Sequence, residues 1–110
     1  METDERLEEI AMSIIANSGA ARSSAFEALQ AVKKGDRAAA QTLLTQADAQ
    51  LQSAHEAHRE LLKLDATGEV DKLTVLLAHA QDHLMTSALA KELIAEIVLL
   101  YEKIDKAEEV

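Results

Sequence analysis

Residues 70–106 read VDKLTVLLAHAQDHLMTSALAKELIAEIVLLYEKIDK, a stretch with neither Pro nor Gly. Its apolar residues recur at intervals of three and four, the period of a helix face. One face collects Val75, Leu76, Ala90, Leu93, Ile94, Ile97, Tyr101 and Ile104, and a nearly opposite face carries Leu73, Leu77, Leu84, Ala88 and Leu99. A helix apolar on two sides must bury both, and two neighbouring helices comfortably cover only one. The pattern therefore predicts a long third helix, from Val70 or Asp71 to about Lys106, in a chain that associates with copies of itself.

Upstream, Asp65-Ala66-Thr67-Gly68-Glu69 is the one segment that reads clearly as a loop. Before it, Leu44, Ala47, Leu51, Ala54, His58 and Leu61 form the stripe of a second helix. That helix starts at Arg37, where Asp36 can accept from the first free amides, and ends near Leu64. The first helix carries Leu7, Ile10, Ile14, Ala21, Ala25, Ala28 and Val32 on one face and stops at Lys33-Lys34-Gly35, where cations suit the carbonyl end and Gly35 can take a left-handed cap. Gly19 interrupts it at a cost of about 1 kcal/mol relative to Ala, which suggests a kink or a close helix approach. No strand pattern or repeat competes, so the expected fold is all-α: one helical domain over 1–110 with helices at about 4–34, 37–64 and 70–106. Helices of about 30 residues are roughly 45 Å long, so the subunit should be an elongated antiparallel three-helix bundle.

Composition narrows the chemistry. The 110 residues suffice for one core; they include no Pro, Cys or Trp, and Phe26 and Tyr101 are the only aromatics besides the histidines. Without cysteine there is no disulfide framework or thiolate nucleophile, which leaves His, carboxylate, hydroxyl and Lys groups. The formal charge of −9 and the lack of a basic stripe argue against nucleic acid and favour protein partners or a metal ion. No apolar run approaches the roughly 20 residues of a membrane span, and the acidic start at Met1-Glu2-Thr3-Asp4-Glu5 is unlike a signal peptide. A cytoplasmic protein without membrane insertion is expected.

His79, Asp82 and His83 stand at i, i+3 and i+4 of the third helix and share one face, with Thr86 extending the group. They form a polar island on an apolar surface, and such groups are costly unless paired. Three readings compete. The residues can fix helix register through hydrogen bonds. They can ligate a metal, since histidines at i and i+4 reach one ion, although further ligands are not evident. Alternatively His79 is a nucleophile whose neutral imidazole attacks phosphorus while Asp82 and His83 orient or balance it. Periodicity does not choose among them.

The segment Leu76-Leu77-Ala78-His79-Ala80-Gln81-Asp82-His83-Leu84-Met85-Thr86-Ser87 closely resembles the signature of the lactose/cellobiose/chitobiose class of enzyme IIA in the bacterial phosphoenolpyruvate-dependent sugar phosphotransferase system. The likeness extends to Ile15-Ala16-Asn17-Ser18-Gly19-Ala20-Ala21-Arg22-Ser23, Lys34-Gly35-Asp36, Ala54-His55, Glu92-Leu93-Ile94 and Leu100-Tyr101-Glu102-Lys103, so that nearly the whole chain is covered in order. Asn-Ser-Gly-x-Ala-Arg-Ser with Ala-His-Ala-Gln-Asp-His-Leu-Met-Thr-Ser looks closest to the N,N'-diacetylchitobiose branch.

The resemblance implies a homotrimer of three-helix subunits, a nine-helix assembly. It implies that His79 accepts a phosphoryl group from phosphorylated HPr and donates it to a cysteine of the cognate enzyme IIB, in indirect association with the membrane enzyme IIC. It further implies that Asp82 approaches its symmetry mates on the trimer axis, where Mg2+ or another divalent cation would balance like charges, and that His83 supports His79. Small Ala78 and Ala80 would let a partner approach, and Leu76, Leu77 and Met85 would form a rim that excludes water. The chain departs from the family pattern at His58 and Arg59, which stand where Gln-Thr is usual, and in a loop at Asp65–Glu69 that looks short. His58 would alter the surroundings of His79 if the second helix lines a neighbouring subunit's site. The alternative is a non-catalytic metal-binding or adaptor module using His79, Asp82 and His83.

Overall fold

The computed structural model describes residues 2–108, which form three helices: α1 (Glu2–Lys33), α2 (Arg37–Ala66) and α3 (Val75–Glu108). Both connections begin with the same device. At the end of α1, Gly35 adopts φ +85°, and its N–H and that of Asp36 donate to the carbonyls of Val32 and Ala31 at 3.0 and 2.9 Å. At the end of α2, Gly68 adopts φ +80°, and Gly68 and Glu69 donate to Asp65 and Leu64 at 3.1 and 2.9 Å. These are paired Schellman bonds, which satisfy the last free carbonyls and need a residue that tolerates positive φ. Asp36 then caps α2, its carboxylate accepting from the Ala39 N–H at 3.0 Å.

The junction before α3 corrects the expectation. The third helix begins at Val75, not at Val70 or Asp71, and α2 runs on to Ala66, so the loop is residues 67–74 rather than Asp65–Glu69. The cause is Thr74, whose Oγ1 accepts from the Leu77 N–H at 3.2 Å while its carbonyl accepts from Ala78 at 3.0 Å. Thr74 is the cap that starts the helix.

The chain runs up, down and up through an envelope of 63 × 19 × 16 Å, the elongated bundle expected from the helix lengths. One core cluster joins Leu7, Ile10 and Ile14 of α1 to Leu51, Ala54 and Leu61 of α2 and to Leu77, Ala80 and Leu84 of α3. A second joins Ala25, Ala28 and Val32 to Ala40, Leu44 and Ala47 and to Ile94 and Val98. Between them lies a waist of buried hydroxyls. Ser24 donates to Gln50 Oε1 at 2.8 Å and accepts from Gln46 Nε2 at 3.3 Å, whereas the Oγ atoms of Ser18 and Ser87 have no hydrogen-bond partner among the described residues.

Helix α1 packs extensively on both other helices, and α2 and α3 meet least. Across their groove, Lys91 pairs with Asp48 and Gln41 Nε2 donates to Glu102 Oε1 at 3.1 Å. Helix α1 passes through Gly19 without interruption, and a Cβ there would meet nothing within 4 Å. Within the protomer, then, Gly19 serves no close helix approach.

Candidate functional site

The capping of α3 at Thr74 places His79 in the second turn of the helix, near one end of the bundle. Leu77, Ala80 and Leu84 are buried against the first core cluster and lock the inner face. That rotation turns His79, Asp82 and Thr86 outward, where they are exposed, and leaves His83 half-buried. The rings of His79 and His83 meet edge to face, with centroids 4.6 Å apart and planes inclined at 68°. Thr86, exposed on the same side, donates its hydroxyl to the carbonyl of Asp82 at 2.8 Å and to that of His83 at 3.4 Å, so it bonds to the helix backbone.

The surface around this group is apolar and left exposed by the described residues. Val75, Leu89, Leu93 and Leu100 are each more than half exposed, and Ile97 and Ile104 are exposed beside them. At 3.6 residues per turn, Val75, Asp82, Leu89, Leu93 and Leu100 fall within about 40° of one another. Asp82 thus lies in the middle of an unpartnered apolar stripe, with His79 at its edge. The two-sided character expected of this helix is present, but the division of residues differs. Ile94 belongs to the inner face with Leu77 and Leu84, while Leu99 is exposed and Leu73 precedes the helix. The expected surroundings of His79 change as well: Leu77 of the rim and small Ala80 lie in the core, while Ala78 and Met85 are exposed and Leu76 is half-buried.

Two other predicted features are placed differently from the simplest expectation. Among the described residues no three His, Cys, Asp or Glu side chains are arranged to hold a metal ion, so His79, Asp82 and His83 of one protomer are not such a set. His58 is half-buried at a core-facing position of α2, between Ala54 and Leu61 in the stripe, whereas Arg59 is exposed. Burial, and secondarily the neighbouring His55, hold the His58 imidazole below its ordinary value of 6.5. The residue that sequence reasoning missed is Thr74; its signal was a hydroxyl directly before the unbroken apolar run Val75-Leu76-Leu77. No helix among the described residues is long and apolar enough to cross a membrane.

Comparison with known proteins fixes the family. The model of the PTS system lactose/cellobiose-specific IIA subunit matches residues 9–102. The N,N'-diacetylchitobiose-specific EIIA component of the Escherichia coli K12 PTS is 48% identical over 100 residues, covering 91% of this chain and 86% of that protein. The crystal structure of the PTS cellobiose-specific enzyme IIA from Bacillus anthracis superimposes with a TM-score of 0.87 at 44% identity, over 91% of this chain and 92% of the other. The solution structure of the IIA(chitobiose)–HPr complex from the E. coli phosphotransferase system gives 0.79 at 46%, over 90% and 96%. An exposed histidine on an all-helical bundle, in a chain matched along nearly its whole length, leads to one assignment: this protein belongs to the lactose/cellobiose-specific IIA family of the sugar phosphotransferase system.

Proposed function

We propose that the chain is a phosphoryl carrier, accepting phosphate from phosphorylated HPr on His79 and passing it to a cysteine of the cognate enzyme IIB during uptake of a β-linked disaccharide of the chitobiose, cellobiose or lactose type. The observation that carries this reading is the exposed His79 imidazole, held against His83 on the outer face of α3. The complex of a IIA(chitobiose) relative with HPr supports the choice of donor. The carrier would work in the cytoplasm, reaching the membrane enzyme IIC only through enzyme IIB.

Transfer between two proteins asks little covalent work of either beyond presenting a nucleophile in line. A lone pair on one ring nitrogen of neutral His79 attacks phosphorus, and the bond from phosphorus to the donor breaks with its electron pair staying on the donor. The second transfer repeats this with the enzyme IIB thiolate as nucleophile and the His79 nitrogen as leaving group. Ala78 offers little steric resistance to a docking surface, and Met85 with Leu76 provides apolar contact that excludes water from the phosphorylated ring.

The uncovered stripe of Leu89, Leu93, Ile97, Leu100 and Ile104 supports assembly of three subunits through α3, a nine-helix homotrimer. Asp82, in line with that stripe, would meet two copies of itself. One protomer offers a single carboxylate there, but three would supply the hard oxygen donors that Mg2+ or a similar divalent cation prefers. Asp82 would hold the ion, which would balance the three negative charges. His58 bears on the reaction only if α2 of a neighbouring subunit faces the site.

The test is His79→Ala. The variant should lose phosphate uptake from phosphorylated HPr while its helicity stays unchanged, and normal uptake by the variant would place the acceptor elsewhere.

A further inference from the structure

A ring of identical subunits closes through head-to-tail contacts, in which one flank of each protomer meets a different flank of the next. If the exposed stripe of α3 faces the axis of such a ring, the surfaces on its two sides supply those flanks. They carry opposite charge at one height along the bundle.

Arg22 and Phe26 stand on the α1 side. Asp4 and Glu8 line a pocket with Leu76 of α3, and Arg22 and Phe26 lie about five turns further along the same face of α1. Both are exposed, and the Arg22 guanidinium rests over the Phe26 ring, 5.8 Å from its centroid, with no ion pair among the described residues. Gly19, one turn earlier, presents bare backbone where a Cβ would meet nothing within 4 Å. A glycine inside a helix is destabilising relative to alanine, and the protomer by itself draws no packing from this one.

Glu92 and Glu96 stand on the α2 side. Glu92 lines the groove shared with Asp48 and His55 of α2, and Glu96 follows one turn later. Both carboxylates are exposed and have no ion pair among the described residues, while neighbouring Lys91 is engaged with Asp48. Helices α1 and α3 run in the same direction. Ile14 shares the first core cluster with Leu84, Ala28 shares the second with Val98, and the same interval carries Arg22 to Glu92. Rotation about an axis parallel to α3 preserves height, so Arg22 of one subunit comes level with Glu92 of the next.

We propose that the α1 flank at Gly19, Arg22 and Phe26 receives the α3 flank of a second copy of this chain, with Arg22 pairing to that copy's Glu92 and Glu96. A guanidinium suits the place, because it stacks on an aromatic face while its N–H groups donate to carboxylates. The proposal rests on the trimeric reading above and names the two surfaces that join.

Sedimentation across a range of protein concentrations tests it on the unaltered protein, on Arg22→Glu, on Glu92→Arg combined with Glu96→Arg, and on all three changes together, with circular dichroism as the check on folding. Arg22→Glu and the Glu92→Arg/Glu96→Arg variant should each keep their helicity and dissociate at concentrations roughly tenfold higher or more, because each sets like charges against one another. The three changes together restore opposite charges and should recover most of the lost association. An Arg22→Glu trimer as stable as the unaltered one would overturn the proposal, as would a combined variant no better associated than either parent. An unaltered protein that sediments as a monomer would instead overturn the trimeric reading itself.

Discussion

The two faces of α3 are built from similar residues and meet opposite fates. Leu77, Ala80, Leu84, Ile94 and Val98 are buried within the chain, whereas Val75, Leu89, Leu93, Leu100 and Ile104 on the other side are exposed. The inner face fixes the rotation of the helix. The outer face carries His79, Asp82 and the surface left for other molecules. The comparison shows how one helix serves both fold and function: burying Leu77, Ala80 and Leu84 is what turns His79 outward.

Substitutions that treat the faces differently should separate these roles. In the proposed trimer, Leu93→Asp would bring a carboxylate to the interface at a cost of several kcal/mol per copy, so this variant should sediment as a monomer where the unaltered protein sediments as a trimer. A trimer that survives unchanged would remove the outer stripe from the assembly. Leu84→Ala acts inside the chain and should lower unfolding stability by about 2 to 5 kcal/mol in denaturant titration. A change near zero would mean that the first core cluster does not hold α3. Asp82→Leu should raise the melting temperature if the proposed trimer brings three Asp82 carboxylates together, because it replaces like charges with apolar contact; an equal or lower temperature would argue against an axial position.

The smallest effect concerns half-buried His58 of α2. His58 titrates below its ordinary value because of burial and His55, so the folded chain binds fewer protons than the unfolded chain. Its contribution to stability is therefore complete above about 6.5 and is lost as pH falls through the lower folded value. His58→Gln should flatten unfolding stability across that window, and an unchanged slope would show that another group sets it.

Much of this is legible in the sequence alone. The helical period, Asp36 as a cap and Gly35 as a stop defined α1 and α2 to within a few residues, because each feature acts locally. Thr74 was harder to see: Asp71 is an equally good cap by residue type, and only the geometry of the loop decides between them. Spacing grouped His79, Asp82 and His83, since i, i+3 and i+4 are neighbours on any helix. It did not reveal which α3 residues face inward, because both sides are apolar and the choice depends on where α1 and α2 lie. Leu77, expected in the rim, and Ala80, expected beside an approaching partner, both pack in the core for that reason. Within one protomer His79, Asp82 and His83 do not form a three-ligand metal group, because sharing a helix face does not make side chains converge on one point. The partner and the reaction came from resemblance, as no periodicity encodes them.

The most direct test of the central claim is to incubate the purified protein with phosphorylated HPr and locate the phosphate by phosphorus NMR and peptide mapping. The account predicts one phosphohistidine, at His79, that is discharged when the cognate enzyme IIB is added. Phosphate on His55, His58 or His83 with His79 unmodified, or no phosphate at all, would contradict it.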